Sequence, residues 1–200
     1  MKNELPYFYV DSAYGGWQEW FLEEMMRLGG CGAVTACDCS IYFTLYKNMK
    51  NLYPFDITNL TKKDYIRFGG IMKPYLSPRW TGIDRLNIYI DGFSNYLNDC
   101  GEKRISLIPF DGENPFRAAT SVVKKQINSG WPIPSLTLKH MDPSFEDYVW
   151  HWYLLTGYEE NENQFMVKVV TYGSWRWLDF KSLWNTGYAL KGGLILFTDN

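Results

Sequence analysis

The sequence predicts an α+β fold from two observations. Apolar residues recur at helical spacing through the first half of the chain, whereas the second half holds successive runs of β-branched and aromatic residues separated by polar turns. Helices followed by strands are typical of the α+β class. The 200 residues, 46% of them hydrophobic, suffice for one well-buried domain. We therefore expect one domain, with a mainly helical layer in about residues 1–100 packed on a mainly antiparallel sheet in about residues 101–200.

The helices are predicted from apolar spacing together with the residues that start or end them. Gly29-Gly30 ends the first helix, the next begins at Cys31, and Thr61 is the predicted N-cap of the third. The predicted helices cover residues 17–27, 31–47, 61–76, 82–97, 116–129 and 179–184. We expect the four that precede residue 100 to form the helical layer.

The strands are predicted from runs rich in β-branched and aromatic residues. They cover residues 5–10, 104–110, 131–138, 148–158, 164–172 and 188–198, and residues 11–16 form a turn-rich loop. Because polar turns separate the later runs, we expect those strands to pair as an antiparallel sheet.

Composition and charge exclude several classes of protein. The net charge of −2 gives no electrostatic basis for binding nucleic acid or an anionic membrane. No stretch approaches the roughly 20 apolar residues of a membrane span, and no apolar run of a secretory signal follows Lys2. We therefore predict a cytoplasmic protein with reduced cysteines. Two histidines are too few for a typical His/Cys zinc site, so we predict no metal and no cofactor. The oligomeric state stays open.

Cys31 is the first candidate for a reactive group. It stands where a predicted helix begins, among the small residues Gly32 and Ala33. Free backbone N–H groups and the positive end of the helix dipole stabilise an anion there, which favours the nucleophilic thiolate. The alternative is that Cys31 is a small buried residue that only packs.

His151 and Thr171 are the next candidates, and both lie in predicted strands. A histidine near the start of an apolar strand can project from the sheet towards another layer, although it can also be a core residue bonded to backbone. Thr171 closes the following strand. If the two strands are hairpin neighbours, the Thr171 hydroxyl can form a hydrogen bond with the imidazole of His151.

Three segments together resemble the papain-like cysteine peptidases. They are Gly30-Cys31-Gly32-Ala33, the run His-Trp-Tyr-Leu-Leu-Thr-Gly-Tyr that begins at His151, and Thr171-Tyr172-Gly173. Within that superfamily the chain looks most like the bacterial branch that includes the double-glycine leader peptidases. The resemblance implies a papain-like fold, in which the cysteine opens the central helix of a helical layer and the histidine comes from a sheet packed against it.

The resemblance also implies roles for individual residues. Cys31 would be the nucleophile, His151 the general base and Gln18 a donor to the oxyanion. Thr171 stands where the family has an Asn or Asp that orients the histidine. Gln18 lies further upstream of the cysteine than the family's Gln, with a predicted helix in between.

Four hypotheses follow for the function. The first is a thiol hydrolase that cleaves a peptide or other amide bond through a thioester on Cys31. The second is a catalytically inactive relative that binds a peptide in an aromatic groove. The third is an acyltransferase, which would use the same thioester with an amine acceptor. The fourth is a structural protein without a site.

Overall fold

The computed structural model describes residues 1–80 and 82–200 and has helices packed against an antiparallel sheet, so the α+β class is confirmed. The helices of this part of the chain are α1 (Glu24–Gly29), α2 (Cys31–Tyr46), α3 (Lys62–Met72), α4 (Leu86–Asp99), α5 (Phe116–Asn128) and α6 (Phe180–Trp184). The strands are β1 (Lys2–Glu4), β2 (Tyr9–Val10), β3 (Ala13–Tyr14), β4 (Ile105–Asp111), β5 (Ile133–Thr137), β6 (His151–Glu160), β7 (Phe165–Thr171), β8 (Ser174–Asp179) and β9 (Gly193–Asp199).

The main sheet has the strand order β4-β9-β5-β6-β7-β8, and every pair in it is antiparallel. Strand β1 extends this sheet by pairing with β6 at Gly157 to Glu159, beyond the stretch of β6 that pairs with β5. The first hundred residues therefore contribute a strand to the sheet as well as the helical layer. Strands β2 and β3 form a separate small hairpin.

Helix α2 lies in the interior of the molecule. Nearly all of its residues from Cys31 to Phe43 are buried, and it packs against α3 on one side and strand β6 on the other. A helix whose surface is apolar or small nearly all round is typical of such a position. This packing places the first turn of α2 close to the start of β6.

The first predicted helix, over residues 17–27, is wrong in most of its length. Gln18–Trp20 forms a single 3-10 turn, and the α-helix covers only Glu24–Gly29. Two aromatic residues of this stretch pack against helix α3 instead. The ring of Trp20 packs edge-on against Tyr65, and the ring of Phe21 fills the space beside the Cα of Gly69. Tertiary packing of these rings outweighs the local helical pattern.

Several other boundaries also differ from the prediction. The N-terminal strands are Lys2–Glu4 and Tyr9–Val10, where one strand over residues 5–10 was expected. The fourth helix begins only at Leu86. Strand Ser174–Asp179 was not predicted, and it pairs with β7 through the turn at Tyr172-Gly173. The predicted N-cap at Thr61 is confirmed, because its side chain accepts a hydrogen bond from the Asp64 N–H.

Two features of the described residues bear on membranes and metals. None of their helices is both long and apolar enough to cross a membrane. Among the same residues, no group of three or more His, Cys, Asp and Glu side chains is placed to hold a metal ion. The cytoplasmic location stays a prediction.

Candidate functional site

All four residues predicted for the site line one small cavity between helix α2 and the sheet. Gln18, Cys31, His151 and Thr171 contribute to its wall, and its volume is about 10 Å³. This is roughly the space of one water molecule. The fold therefore brings together residues that are as much as 153 positions apart in the sequence, counted as 171 minus 18.

Cys31 is the first residue of α2, and only 5% of its surface is exposed. Backbone N–H groups of Cys31, Gly32 and Trp152 interact with the thiol and lower its pKa, but burial raises that pKa by more. The net pKa lies above the usual value, so the lowered value expected from the helix N-terminus is wrong for this enclosed state. The desolvation of the thiolate outweighs the favourable backbone groups.

His151 opens strand β6 and is equally buried. Its Nε2 lies 2.6 Å from Thr171 Oγ1, so the predicted contact between these two residues is present. Burial lowers the pKa of His151 to about 3, which makes the imidazole neutral near pH 7. The ring of Tyr172 stacks on the imidazole, with centroids 4.5 Å apart and planes 7° from parallel.

The residues next to His151 and Thr171 have an unusual backbone. Trp150 and Tyr172 both have a φ of 53°, in the left-handed region. Bulky residues adopt this region at a cost of about 1–3 kcal/mol, and such positions concentrate at functional sites. Each of these aromatic side chains is also more than one third exposed. Burial of the aromatic rings in the core therefore does not explain the strained backbone at Trp150 and Tyr172.

Gln18 reaches the cavity from the 3-10 turn that replaces the predicted helix. The α-helix between Gln18 and Cys31 has only six residues, and both residues line the cavity. The Gln18 Nε2 donates a hydrogen bond to the Arg27 carbonyl oxygen at 2.8 Å. An amide nitrogen carries two hydrogens, so this bond orients the group and leaves a second donor.

Asp38 also lines the cavity and was not identified from the sequence. It lies seven residues after Cys31, on the same face of α2. Its carboxylate is 4% exposed and accepts hydrogen bonds from Tyr7 Oη at 2.9 Å, Tyr65 Oη at 2.6 Å and the Gly16 N–H at 3.1 Å. Burial raises its pKa to about 6, although these hydrogen bonds act in the opposite direction. An aspartate within an otherwise apolar buried helix was the signal available in the sequence.

The site combines a neutral thiol, a neutral imidazole and several N–H donors in an enclosed space. This set can support nucleophilic attack by sulfur on a carbonyl carbon, with the imidazole accepting the proton. Comparison of this chain with family models, curated proteins and solved structures gives no match. The function must therefore be argued from the chemistry of these residues.

Proposed function

We propose that this protein is a thiol hydrolase of the papain-like type, which cleaves a peptide or other amide bond through a thioester on Cys31. The observation that carries the proposal is the convergence of Cys31, His151, Thr171 and Gln18 on one cavity. Each residue type matches a part that acyl transfer by a cysteine requires, namely a nucleophile, a base, a group that orients the base and an oxyanion donor.

Proton transfer in this mechanism begins from a neutral pair. In this mechanism the Nε2–H of His151 donates to Thr171 Oγ1 2.6 Å away, which leaves Nδ1 with the lone pair that accepts the proton of the Cys31 thiol. The sulfur attacks the carbonyl carbon, an S–C bond forms and the carbonyl electron pair moves to oxygen. The proton on Nδ1 then passes to the leaving amine as the C–N bond breaks.

Hydrolysis of the thioester completes the cycle. His151 removes a proton from an attacking water, the new C–O bond forms, and the C–S bond breaks. The proton on the imidazole returns to sulfur, which restores the neutral thiol. During both attacks, N–H groups at the start of α2 and the Gln18 amide stabilise the oxyanion.

A second candidate is a catalytically inactive protein that binds a peptide at the same site. One observation favours it, namely that Thr171 has no charge to stabilise an imidazolium. Acyl transfer to an amine would use the same thioester, so it differs from hydrolysis only in the acceptor and can be recognised by its product.

The proposal is tested by reaction with p-nitrophenyl acetate, a small activated ester that acylates nucleophilic thiols. We expect release of p-nitrophenolate and acetylation of Cys31, located by peptide mass spectrometry. Both should be lost in Cys31→Ala and retained in Cys100→Ala. Cys100 is a suitable control because it is the most exposed of the four cysteines and lies at the end of α4. Equal p-nitrophenolate release by Cys31→Ala would contradict the proposal.

A further inference from the structure

Asp38 is a buried carboxylate that the proposed reaction does not use. An ionised carboxylate is costly to bury, and it persists only where donors compensate for the lost water. Here the donors come from three different segments of the chain, through Tyr7, Tyr65 and Gly16. Asp38 therefore links helix α2 to the N-terminal segment and to helix α3.

The Gly15-Gly16 backbone approaches Asp38 more closely than any other residue type would allow. Gly15 has a φ of +77°, and a Cβ there would lie 2.6 Å from the Asp38 carboxylate. A Cβ at Gly16 would overlap the hydroxyl of Tyr65. The two glycines thus let the backbone reach the carboxylate, so that the Gly16 N–H donates to it directly.

The segment held by Asp38 continues directly into the site. Gly16 lies two residues before Gln18, which lines the same cavity as Cys31. The Gly16 carbonyl oxygen also accepts a hydrogen bond from the Gly173 N–H at 3.1 Å, and Gly173 lies two residues after Thr171. The short segment around Gly16 therefore connects the Asp38 carboxylate to Gln18, the proposed oxyanion donor. It also connects the carboxylate to the turn that follows Thr171.

We propose that Asp38 is a positioning residue, which fixes Gln18 as an oxyanion donor by holding the Gly15-Gly16 segment against helix α2. This inference rests on the proposed function, because it assigns a role within the same reaction. A carboxylate accepts hydrogen bonds more strongly than a neutral amide does. It therefore restrains the segment more firmly than an asparagine in the same place.

The test compares two reactions of Cys31 in Asp38→Asn, Gln18→Ala and the double variant. Acetylation by p-nitrophenyl acetate passes through an oxyanion, whereas alkylation by iodoacetamide displaces iodide and forms none. We expect Asp38→Asn to slow acetylation at Cys31 by about tenfold or more and to leave alkylation unchanged. The double variant should be no slower than Gln18→Ala, because both substitutions remove the same interaction.

Asp99→Asn is the matched control, since Asp99 also accepts a hydrogen bond from a tyrosine, Tyr75 Oη at 2.8 Å, but lies outside the cavity. Both reactions should proceed in it as in the wild type. If Asp38→Asn fails to fold, Tyr65→Phe removes the shortest of the bonds to Asp38 and should slow acetylation selectively as well.

Two results would overturn the inference while the proposed function stands. One is an equal loss of acetylation and alkylation in Asp38→Asn, which indicates a general structural defect. The other is a double variant in which the two single effects multiply, which shows that Asp38 acts independently of Gln18. If wild-type Cys31 is never acetylated, the proposed function fails and this inference fails with it.

Discussion

Helix α2 presents two buried polar groups to one cavity, Cys31 in its first turn and Asp38 two turns later, and they differ in how they are satisfied. Both side chains are about 95% buried, and burial raises the pKa of both. Asp38 accepts three hydrogen bonds from Tyr7, Tyr65 and Gly16, which lock it in place. Cys31 instead faces a cavity that also contains a neutral imidazole.

Burial alone therefore does not decide what a polar group does. A carboxylate whose oxygens accept hydrogen bonds from several segments is suited to holding those segments together. A thiol beside a neutral base keeps its proton at rest and can lose it during an attack on a carbonyl carbon. The following experiments distinguish two parts of the cavity. The reactive part consists of Cys31, His151 and Thr171, and the supporting part consists of Asp38, Gly16 and Tyr65.

The largest expected effect is that of His151→Ala on the reactive part. Loss of the base should slow acetylation of Cys31 at pH 7 by about 10²–10⁴-fold. His140→Ala is the control, because the chain's second histidine hydrogen-bonds the Ser182 carbonyl oxygen and does not line the cavity. An unchanged rate of acetylation in His151→Ala would show that His151 is not the base.

Gly16→Ala should disrupt the supporting part. The new Cβ would overlap the Tyr65 hydroxyl, so either Tyr65 or the Gly16 segment must move away from Asp38. We expect a loss of about 3 kcal/mol in the free energy of unfolding, measured by urea denaturation. Gly70→Ala is the matched control, since a Cβ at this exposed helical position meets no atom within 4 Å. It should stabilise the protein by up to about 1 kcal/mol; equal effects would contradict the close packing at Gly16.

The pH dependence of stability should also distinguish the two parts. The pKa of His151 is about 3 in the folded state and about 6.5 when unfolded. The unfolded chain therefore binds this proton more tightly, and stability is lost as pH falls below 6.5. From pH 7 to pH 5 this loss is about 2 kcal/mol.

Asp38 changes the free energy of unfolding in the opposite direction as pH falls. Its pKa is raised to about 6 in the folded state, so protonation of Asp38 favours folding. His151→Gln removes only the histidine's contribution. The free energy of unfolding of the wild type, relative to this variant, should fall by about 2 kcal/mol between pH 7 and pH 5. A difference independent of pH would show that His151 is not buried as a neutral ring.

Thr171→Val should have the smallest of these effects. It removes the hydroxyl that lies 2.6 Å from the imidazole and leaves the shape nearly unchanged. We expect acetylation of Cys31 to slow by about tenfold, because the ring loses the hydrogen bond that fixes its orientation. Thr171→Ser keeps the hydroxyl and should retain most of the rate; equal rates in the two variants would exclude an orienting role.

The sequence alone predicted those parts of the fold that depend on local signals. Helix α2 begins at Cys31 because two glycines precede it, and Thr61 caps α3. The contact between His151 and Thr171 followed from the pairing of two successive strands. Each of these features needs only neighbouring residues or one hairpin.

The remaining features depend on contacts between distant residues. Gln18 lies in a 3-10 turn because two aromatic residues that follow it, Trp20 and Phe21, pack against helix α3. The partners of Asp38 are 31 and 27 residues away, at Tyr7 and Tyr65, so nothing next to Asp38 indicates its role. The raised pKa of Cys31 likewise depends on burial, which a helix-start pattern does not reveal.

The most direct test of the account is the pH profile of Cys31 acetylation in the wild type and in His151→Ala. In the wild type the base is already neutral, with a pKa of about 3, and burial raises the pKa of the Cys31 thiol, which therefore keeps its proton near neutral pH. Above pH 7, where Asp38 with its pKa of about 6 is ionised, we therefore expect a nearly constant rate up to pH 8. In His151→Ala only free thiolate reacts, so the rate should rise about tenfold per pH unit. Parallel profiles in the two proteins would contradict the claim that His151 takes the proton of Cys31.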